Sequence, residues 1–261
     1  MKRILSAIIA LVSGAICFWG CTTAEAEVSI VRDANTQVVV VGMENSRVAG
    51  ACPGAGYDAD RMYSLLKKYT SNAVLFRDSN ATKANVETAL KAAIEKAKTG
   101  LVILYYSGHG GSDPLPNTGV EEDDGRDEYL CLWDKPMIDN EIWNIISKSQ
   151  GRVLIIADCC HSQTMFRNAG IKINPPLAWD HTLSEKQNFS MLCWSGCPDN
   201  TYSYGSAAGG QFTNALLRYF DARKTYDYLW TEIKNDRRLR AYENPQSTAL
   251  GNGFDGKLIF R

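Results

Sequence analysis

Neither charge dominates this 261-residue sequence: 28 basic side chains stand against 29 acidic ones, for a formal net charge of −1. That balance excludes the bulk electrostatic attraction that draws proteins onto nucleic acid or acidic membrane surfaces. Internal repeats and low-complexity tracts are missing, and nothing marks a second domain. Spaced Cys-X-X-Cys pairs are missing as well, which removes the usual zinc-binding pattern. Long apolar runs are scarce, and the longest, Ile4 to Trp19, is short for a membrane span. What is present is a 45% hydrophobic fraction, enough for one globular domain to bury a full core.

Residues 1–26 depart from that pattern. Lys2 and Arg3 precede the apolar run and small residues follow it, which is the pattern of a secretory signal. Two exits are open. Ala24-Glu25-Ala26 suits ordinary cleavage, whereas Gly20-Cys21 resembles a bacterial lipoprotein site, with Phe18 departing from that motif's usual start. An exported protein is expected, periplasmic, secreted or held at a membrane only through a lipid on Cys21, with residues 27–261 as the folded domain. Eight cysteines in an exported chain would ordinarily suggest a disulfide framework. Here most of those beyond Cys21 lie in strand-like apolar segments, where a thiol packs as a small hydrophobe. Pairing of Cys193 with Cys197, or of Cys52 with a distant partner, stays open.

Strand-like and helix-like patterns alternate along the remainder, the signature of an α/β fold with a mostly parallel sheet. A buried strand is expected at Gln37 to Met43, a short strand at Asn72 to Arg77, a central strand at Leu101 to Tyr106, further strands at Arg152 to Ala157 and Phe189 to Trp194, and a closing strand at Lys257 to Phe260. Apolar residues at helical spacing predict helices over Asp58 to Tyr69, Lys83 to Lys98, Gln211 to Phe220 and Tyr226 to Lys234. Asp139 reads as the N-cap of a further helix, Glu141 to Ser147. The polar segment Ser112 to Asp127 reads as a long loop.

Two of these strands open onto turns that carry chemistry. Leu101 to Tyr106 runs into Ser107-Gly108-His109-Gly110-Gly111, and Arg152 to Ala157 runs into Asp158-Cys159-Cys160-His161. Carboxyl ends of strands in open α/β sheets are where ligands bind. If the two strands are neighbours, an imidazole and a thiol converge on one cleft, as needed to activate sulfur and then protonate a leaving amine. Alternation along an extended segment puts Asp158 and Cys160 on one side and Cys159 and His161 on the other, which does not by itself choose the sulfur. Zinc held by Cys159, Cys160 and His161 is disfavoured, because contiguous ligands wrap a tetrahedral ion poorly. His181 has no role in this reading.

The pair YYSGHG (Tyr105 to Gly110) and DCCHS (Asp158 to Ser162) resembles the histidine and cysteine boxes of metacaspases, within the caspase superfamily of cysteine peptidases. YDADRMYSLL (Tyr57 to Leu66), DDGRDEYLCLWD (Asp123 to Asp134), IDNE (Ile138 to Glu141), WSGCPDN (Trp194 to Asn200) and GGQFTNALL (Gly209 to Leu217) are similar to other blocks of that family. The resemblance implies a caspase-like three-layer sandwich, a mostly parallel sheet with helices on both faces. It also implies Cys160 as nucleophile, His109 as general base and acid, the backbone N–H groups of Gly110 and Cys160 as oxyanion site, and Cys159 as a packed bystander. The glutamine-led caspase cysteine signature is absent, which favours a metacaspase relative over a true caspase.

By the same resemblance Asp58 and Asp158 line the pocket for the residue before the cut bond. Paired acids there would favour Arg or Lys and repel Asp. Read without the family, Asp58 would merely stabilise a helix N-terminus and Asp158 satisfy nearby backbone donors. The expected enzyme is a monomeric cysteine endopeptidase acting on proteins or peptides with basic residues, requiring no organic cofactor and binding no nucleic acid. Its competitors are a caspase-fold peptidase preferring Asn or Asp and a catalytically silent peptide-binding module. The resemblance also raises calcium, with Asp123, Asp124 and Asp139 as oxygen donors. Asn140 and Arg167 stand where the family pattern has acids, which weakens that site, and Gln163 replaces a usual glycine after the cysteine box.

Overall fold

The structure is a computed structural model, and it describes residues 34–113, 127–159, 188–196 and 205–260. Along the chain run β1 (Gln37–Gly42), the two-residue strands β2 (Asn45–Ser46) and β3 (Gly50–Ala51), α1 (Ala55–Leu66), β4 (Ala73–Arg77), α2 (Lys83–Ala97) and β5 (Leu101–Ser107). Next come β6 (Gly110–Asp113), β7 (Asp127–Cys131), β8 (Pro136–Ile138), α3 (Asp139–Ile146), β9 (Arg152–Asp158) and β10 (Ser190–Ser195). The last elements are β11 (Gly205–Ser206), β12 (Gly209–Gly210), α4 (Gln211–Tyr219), α5 (Tyr226–Asn235), α6 (Arg237–Arg240) and β13 (Gln246–Leu250). The signal-like residues 1–26 lie outside the described residues.

Six strands form the central sheet in the order β13-β10-β9-β5-β1-β4, parallel throughout except for β13, which lies antiparallel on β10. Every residue of β1 and β5 is buried, as expected of strands covered on both faces. Val39 and Val41 pack with Val86 and Leu90 of α2 and with Ile142 and Ile146 of α3. The alternate residues Val38 and Val40 pack with Ala59 and Met62 of α1, in a layer shared with Phe212 of α4 and Leu229 of α5. Period-two alternation along one strand therefore feeds two separate cores, each held by burial worth about 1.5–3 kcal/mol per large apolar side chain. The expected three-layer α/β sandwich is what forms.

Local chemistry sets the helix starts. The Thr82 hydroxyl accepts the Asn85 N–H at 3.3 Å to begin α2, and Thr225 does the same for Tyr228 at 3.2 Å in α5. Two expectations need correction. Asp139 is the first residue of α3 rather than its cap: Ile138 ends β8 in an extended conformation, and the Glu141 carboxylate reaches back to its N–H at 3.1 Å. Lys257 to Phe260 is not a strand; Leu258 makes one bridge to Thr225, while Ile259 and Phe260 plug the α1 side of the core. The closing strand is β13, whose sequence QSTAL has little apolar signal because it sits at a sheet edge.

Leu90→Ala, at a fully buried position of α2, should lower unfolding free energy by about 2–5 kcal/mol in denaturant titrations. Val74→Ala, on the exposed side of edge strand β4, should stay within about 0.5 kcal/mol. Equal losses at the two sites would contradict the core described.

Candidate active site

The register of β5 against β9 pairs Ser107 with Asp158, the last residue of each strand, and β1 ends level with them at Gly42 opposite Ser107. His109 follows two residues after Ser107 and Cys159 one after Asp158, so the histidine and cysteine motifs emerge from adjacent strand ends. The Gly108 N–H donates to the Asp158 carbonyl at 3.3 Å, tying one turn to the other.

His109 is held from three sides. Its carbonyl accepts the Cys131 N–H at 3.0 Å and the Tyr106 hydroxyl at 2.6 Å, and Tyr106 is itself fully buried beneath it. Its Nε2 lies 2.8 Å from the carbonyl oxygen of Ala51 on β3. A carbonyl can only accept, so this contact requires the proton on Nε2, and in the neutral ring Nδ1 then keeps its lone pair. The half-exposed ring is thereby presented as a base. Ala51 carries no side-chain signal for this role, because only its main chain is used.

The two candidate pocket acids are brought together. Asp58, in the first turn of α1, is 1% exposed, and Asp158 is 4% exposed. Asp58 Oδ2 accepts the Gly210 N–H at 2.7 Å and the Ser107 hydroxyl at 3.3 Å, while Oδ1 is ion-paired with Arg61. Asp158 Oδ2 accepts the Thr213 N–H at 2.9 Å and its hydroxyl at 2.6 Å. Thr213 has one hydroxyl proton and gives it to the carboxylate, so the fully buried Tyr105 hydroxyl, 2.6 Å from the same oxygen, donates to Thr213. Gly210 is wedged against both acids: a Cβ there would come within 2.2 Å of Asp158 Oδ2. Burial, and next the neighbouring Asp158 charge, push the Asp58 carboxyl up to about 7, against the lowering pull of the Gly210 N–H and Arg61. Burial and the same two acids hold the Tyr105 hydroxyl well above its usual range. Ser107, Tyr105, Arg61 and Thr213 belong to this cluster although side-chain pattern did not single them out, even though each lies inside a motif block.

Cys160, the candidate nucleophile, lies outside the described residues, as do Asp123 and Asp124. Cys159 is fully buried among the side chains of the α2–α3 layer. Gly110 opens β6 and pairs with Leu130 of β7. Asp139 is buried, and its Oδ1 accepts the Asn140 N–H at 2.7 Å. Among the described residues, no three His, Cys, Asp or Glu side chains gather in a way that could hold a metal ion. Cys52, Cys131, Cys159 and Cys193 are thiols. Burial pushes the Cys193 thiol up to about 12, so it is inert as a nucleophile and serves packing.

A family model described as a caspase domain matches residues 36–248. Among curated proteins, the chain is similar to Metacaspase-4 of Arabidopsis thaliana, 30% identical over 139 residues that make up 48% of this chain and 33% of that protein. It is also similar to Metacaspase-7 of Arabidopsis thaliana, 38% identical over 85 residues, 31% of this chain and 21% of the relative. The matched region thus spans about a third of those relatives or less. Among solved structures, a Geobacter sulfurreducens protein superposes with a TM-score of 0.68 at 25% identity, covering 86% of this chain and 98% of its own. Caspase-1 from Spodoptera frugiperda superposes at 0.52 with 13% identity over 85% of this chain and 88% of its own, which bears on the fold alone.

The raised Asp58 carboxyl makes stability depend on pH. An acid whose folded-state value lies near 7, against 3.8 for the ordinary group, binds more protons folded than unfolded between those values. Its contribution is fully present below pH about 4 and is lost as pH rises through about 7. Thermal unfolding of wild type against Asp58→Asn should show the variant gaining relative stability across that window and a flat difference above it. A constant difference from pH 4 to 8 would mean that Asp58 titrates as an ordinary carboxyl.

Proposed function

The chain belongs to the caspase-domain family, as a metacaspase-like member, and from that premise we propose that it is a cysteine endopeptidase that cuts after Arg or Lys through His109 and Cys160. The observation that carries this reading is the in-register pairing of β5 with β9, from whose adjacent ends the two motifs leave the sheet. Cys159 supports the choice of sulfur by elimination, because it would have to leave the core to meet the imidazole.

In this mechanism His109 Nδ1 takes the Cys160 thiol proton, and the thiolate attacks the carbonyl carbon of the scissile bond. The oxyanion is met by the N–H groups of Gly110 and Cys160. The imidazolium, oriented by the Ala51 carbonyl on Nε2, gives its proton to the leaving amine as the C–N bond breaks. Water, deprotonated by the same ring, then attacks the thioester carbonyl; the C–S bond breaks, and the acid product and free thiol are restored. The buried Asp58 and Asp158, with Ser107 between them, supply the negative potential that selects a basic side chain before the cut bond.

The family raises calcium, with Asp123, Asp124 and Asp139 as donors. Among the described residues Asp139 is not joined by a set of oxygen ligands, and one of its oxygens is engaged by Asn140, so these residues do not by themselves form a calcium site. The basic-then-apolar pattern of residues 1–26 supports an exported enzyme working on extracytoplasmic protein substrates.

Fluorogenic peptides ending in Arg, Lys, Asp or Asn, assayed with and without Ca²⁺, test the whole reading. Hydrolysis is expected after Arg and Lys only, to vanish in Cys160→Ala, and to fall by about 10²–10⁴ in His109→Gln. As pH drops through about 7, Asp58 takes up a proton and kcat/KM for the basic peptides should decline. Activity that survives Cys160→Ala, or a preference for Asp or Asn, would sink the proposal.

A further inference from the structure

Asp58 has both oxygens engaged, and the group that stands between it and solvent is another side chain of this protein. Arg61, one turn along α1, ion-pairs with Asp58 Oδ1, donates from Nη1 to the Asn214 amide oxygen of α4 at 2.8 Å, and lays its guanidinium 4.3 Å over the Tyr57 ring. Its side chain is 25% exposed, against 1% for Asp58, so the guanidinium is the outer cover of the acid. Tyr57, at 48% exposure, carries the arrangement out to the surface. Gly209 closes the other side: it sits at φ +93°, and a Cβ there would lie 2.2 Å from Asp58 Oδ1 and 2.4 Å from Arg61 Nη2.

The Arg61 grip is incomplete. Its Nε is buried and makes no hydrogen bond among the described residues, a cost that an arginine serving only as a structural strut ordinarily avoids. A guanidinium held by a carboxylate, an amide oxygen and an aromatic face is also what an arginine side chain arriving from solvent would seek.

We propose that Arg61 is a specificity-determining residue, an internal stand-in for the substrate's arginine that must be displaced from Asp58 before a basic side chain can bind. The inference rests on the reading of Asp58 as part of the basic pocket. The incoming guanidinium exchanges with Arg61 on Asp58 Oδ1, Asn214 Oδ1 and the Tyr57 face, like for like. A lysine ammonium takes up the carboxylate but has no planar face to stack and no fork to span two acceptors, so the same exchange costs it more. Arg is therefore favoured over Lys, and neutral or acidic side chains do not displace the cover.

The test uses Arg61→Met, which keeps the stem packed on Tyr57, and Arg61→Lys, with thermal unfolding to establish that both fold. For peptides ending in Arg or Lys, KM should fall about tenfold in Arg61→Met and less in Arg61→Lys, with a smaller change in kcat. Loss of the cation that holds the Asp58 value down should also move the acid limb of kcat/KM to higher pH. Tyr57→Ala and Asn214→Ala should narrow the Arg-over-Lys preference. Agmatine binding by calorimetry to Cys160→Ala and to Cys160→Ala/Arg61→Met separates the two levels of inference. Tighter agmatine binding when Arg61 is removed supports the exchange independently of turnover. Equal or weaker binding with unchanged or raised KM overturns it while the basic preference stands. Wild type that cleaves after no basic residue overturns the reading beneath it.

Discussion

The whole site hangs on the register between β5 and β9. Ser107 stands opposite Asp158 because two fully covered strands each present one set of alternate residues to the α2–α3 layer and the other set to the α1–α4–α5 layer. A slip of one residue would exchange these sets and drive Tyr105 and Tyr106 to the wrong cores. With the register set, His109 and Cys159 follow neighbouring strand ends, and the Gly108 to Asp158 backbone bond joins the two. Packing energy spread over two cores thus determines where the turns bearing His109 and Cys159 leave the sheet.

Burying two carboxylates side by side opposes folding, and the molecule offsets this with donors rather than with distance. Asp58 takes a backbone N–H, a serine hydroxyl and a guanidinium; Asp158 takes the backbone N–H and hydroxyl of Thr213, itself backed by Tyr105. Desolvation still dominates at Asp58, which stays poised near neutrality rather than fully ionised. Such poise suits a pocket for cations, because an arriving positive charge pulls the acid into its ionised form. In the structure that positive charge is the protein's own Arg61.

Much of the architecture could be read from periodicity. Runs such as Val38 to Val41 and Leu101 to Tyr106 are apolar at every position because both faces are covered, and α2 shows its buried stripe at Val86, Leu90, Ile94 and Ala97. The misreadings occurred where non-local pairing overrides local character. Ile259 and Phe260 are apolar but fill a core gap, whereas the polar QSTAL becomes β13 because β10 offers it an open edge. Hairpin β2–β3 is too short to show a period, yet it delivers the Ala51 carbonyl to His109.

The order of the elements, the strand-end position of His109 and the acidic residues of the pocket were properties of the linear chain, since residue type and spacing alone determine which segments are apolar and which turns bear reactive groups. Tertiary structure decided what those groups face. Arg61 and Asn214 are 153 residues apart, and Ala51 acts through a carbonyl that every residue possesses, so no pattern in the sequence distinguishes them. Their roles arise only when sheet register and helix packing bring distant backbone and side-chain atoms within hydrogen-bonding range, where dielectric and partner together set the charge each group carries.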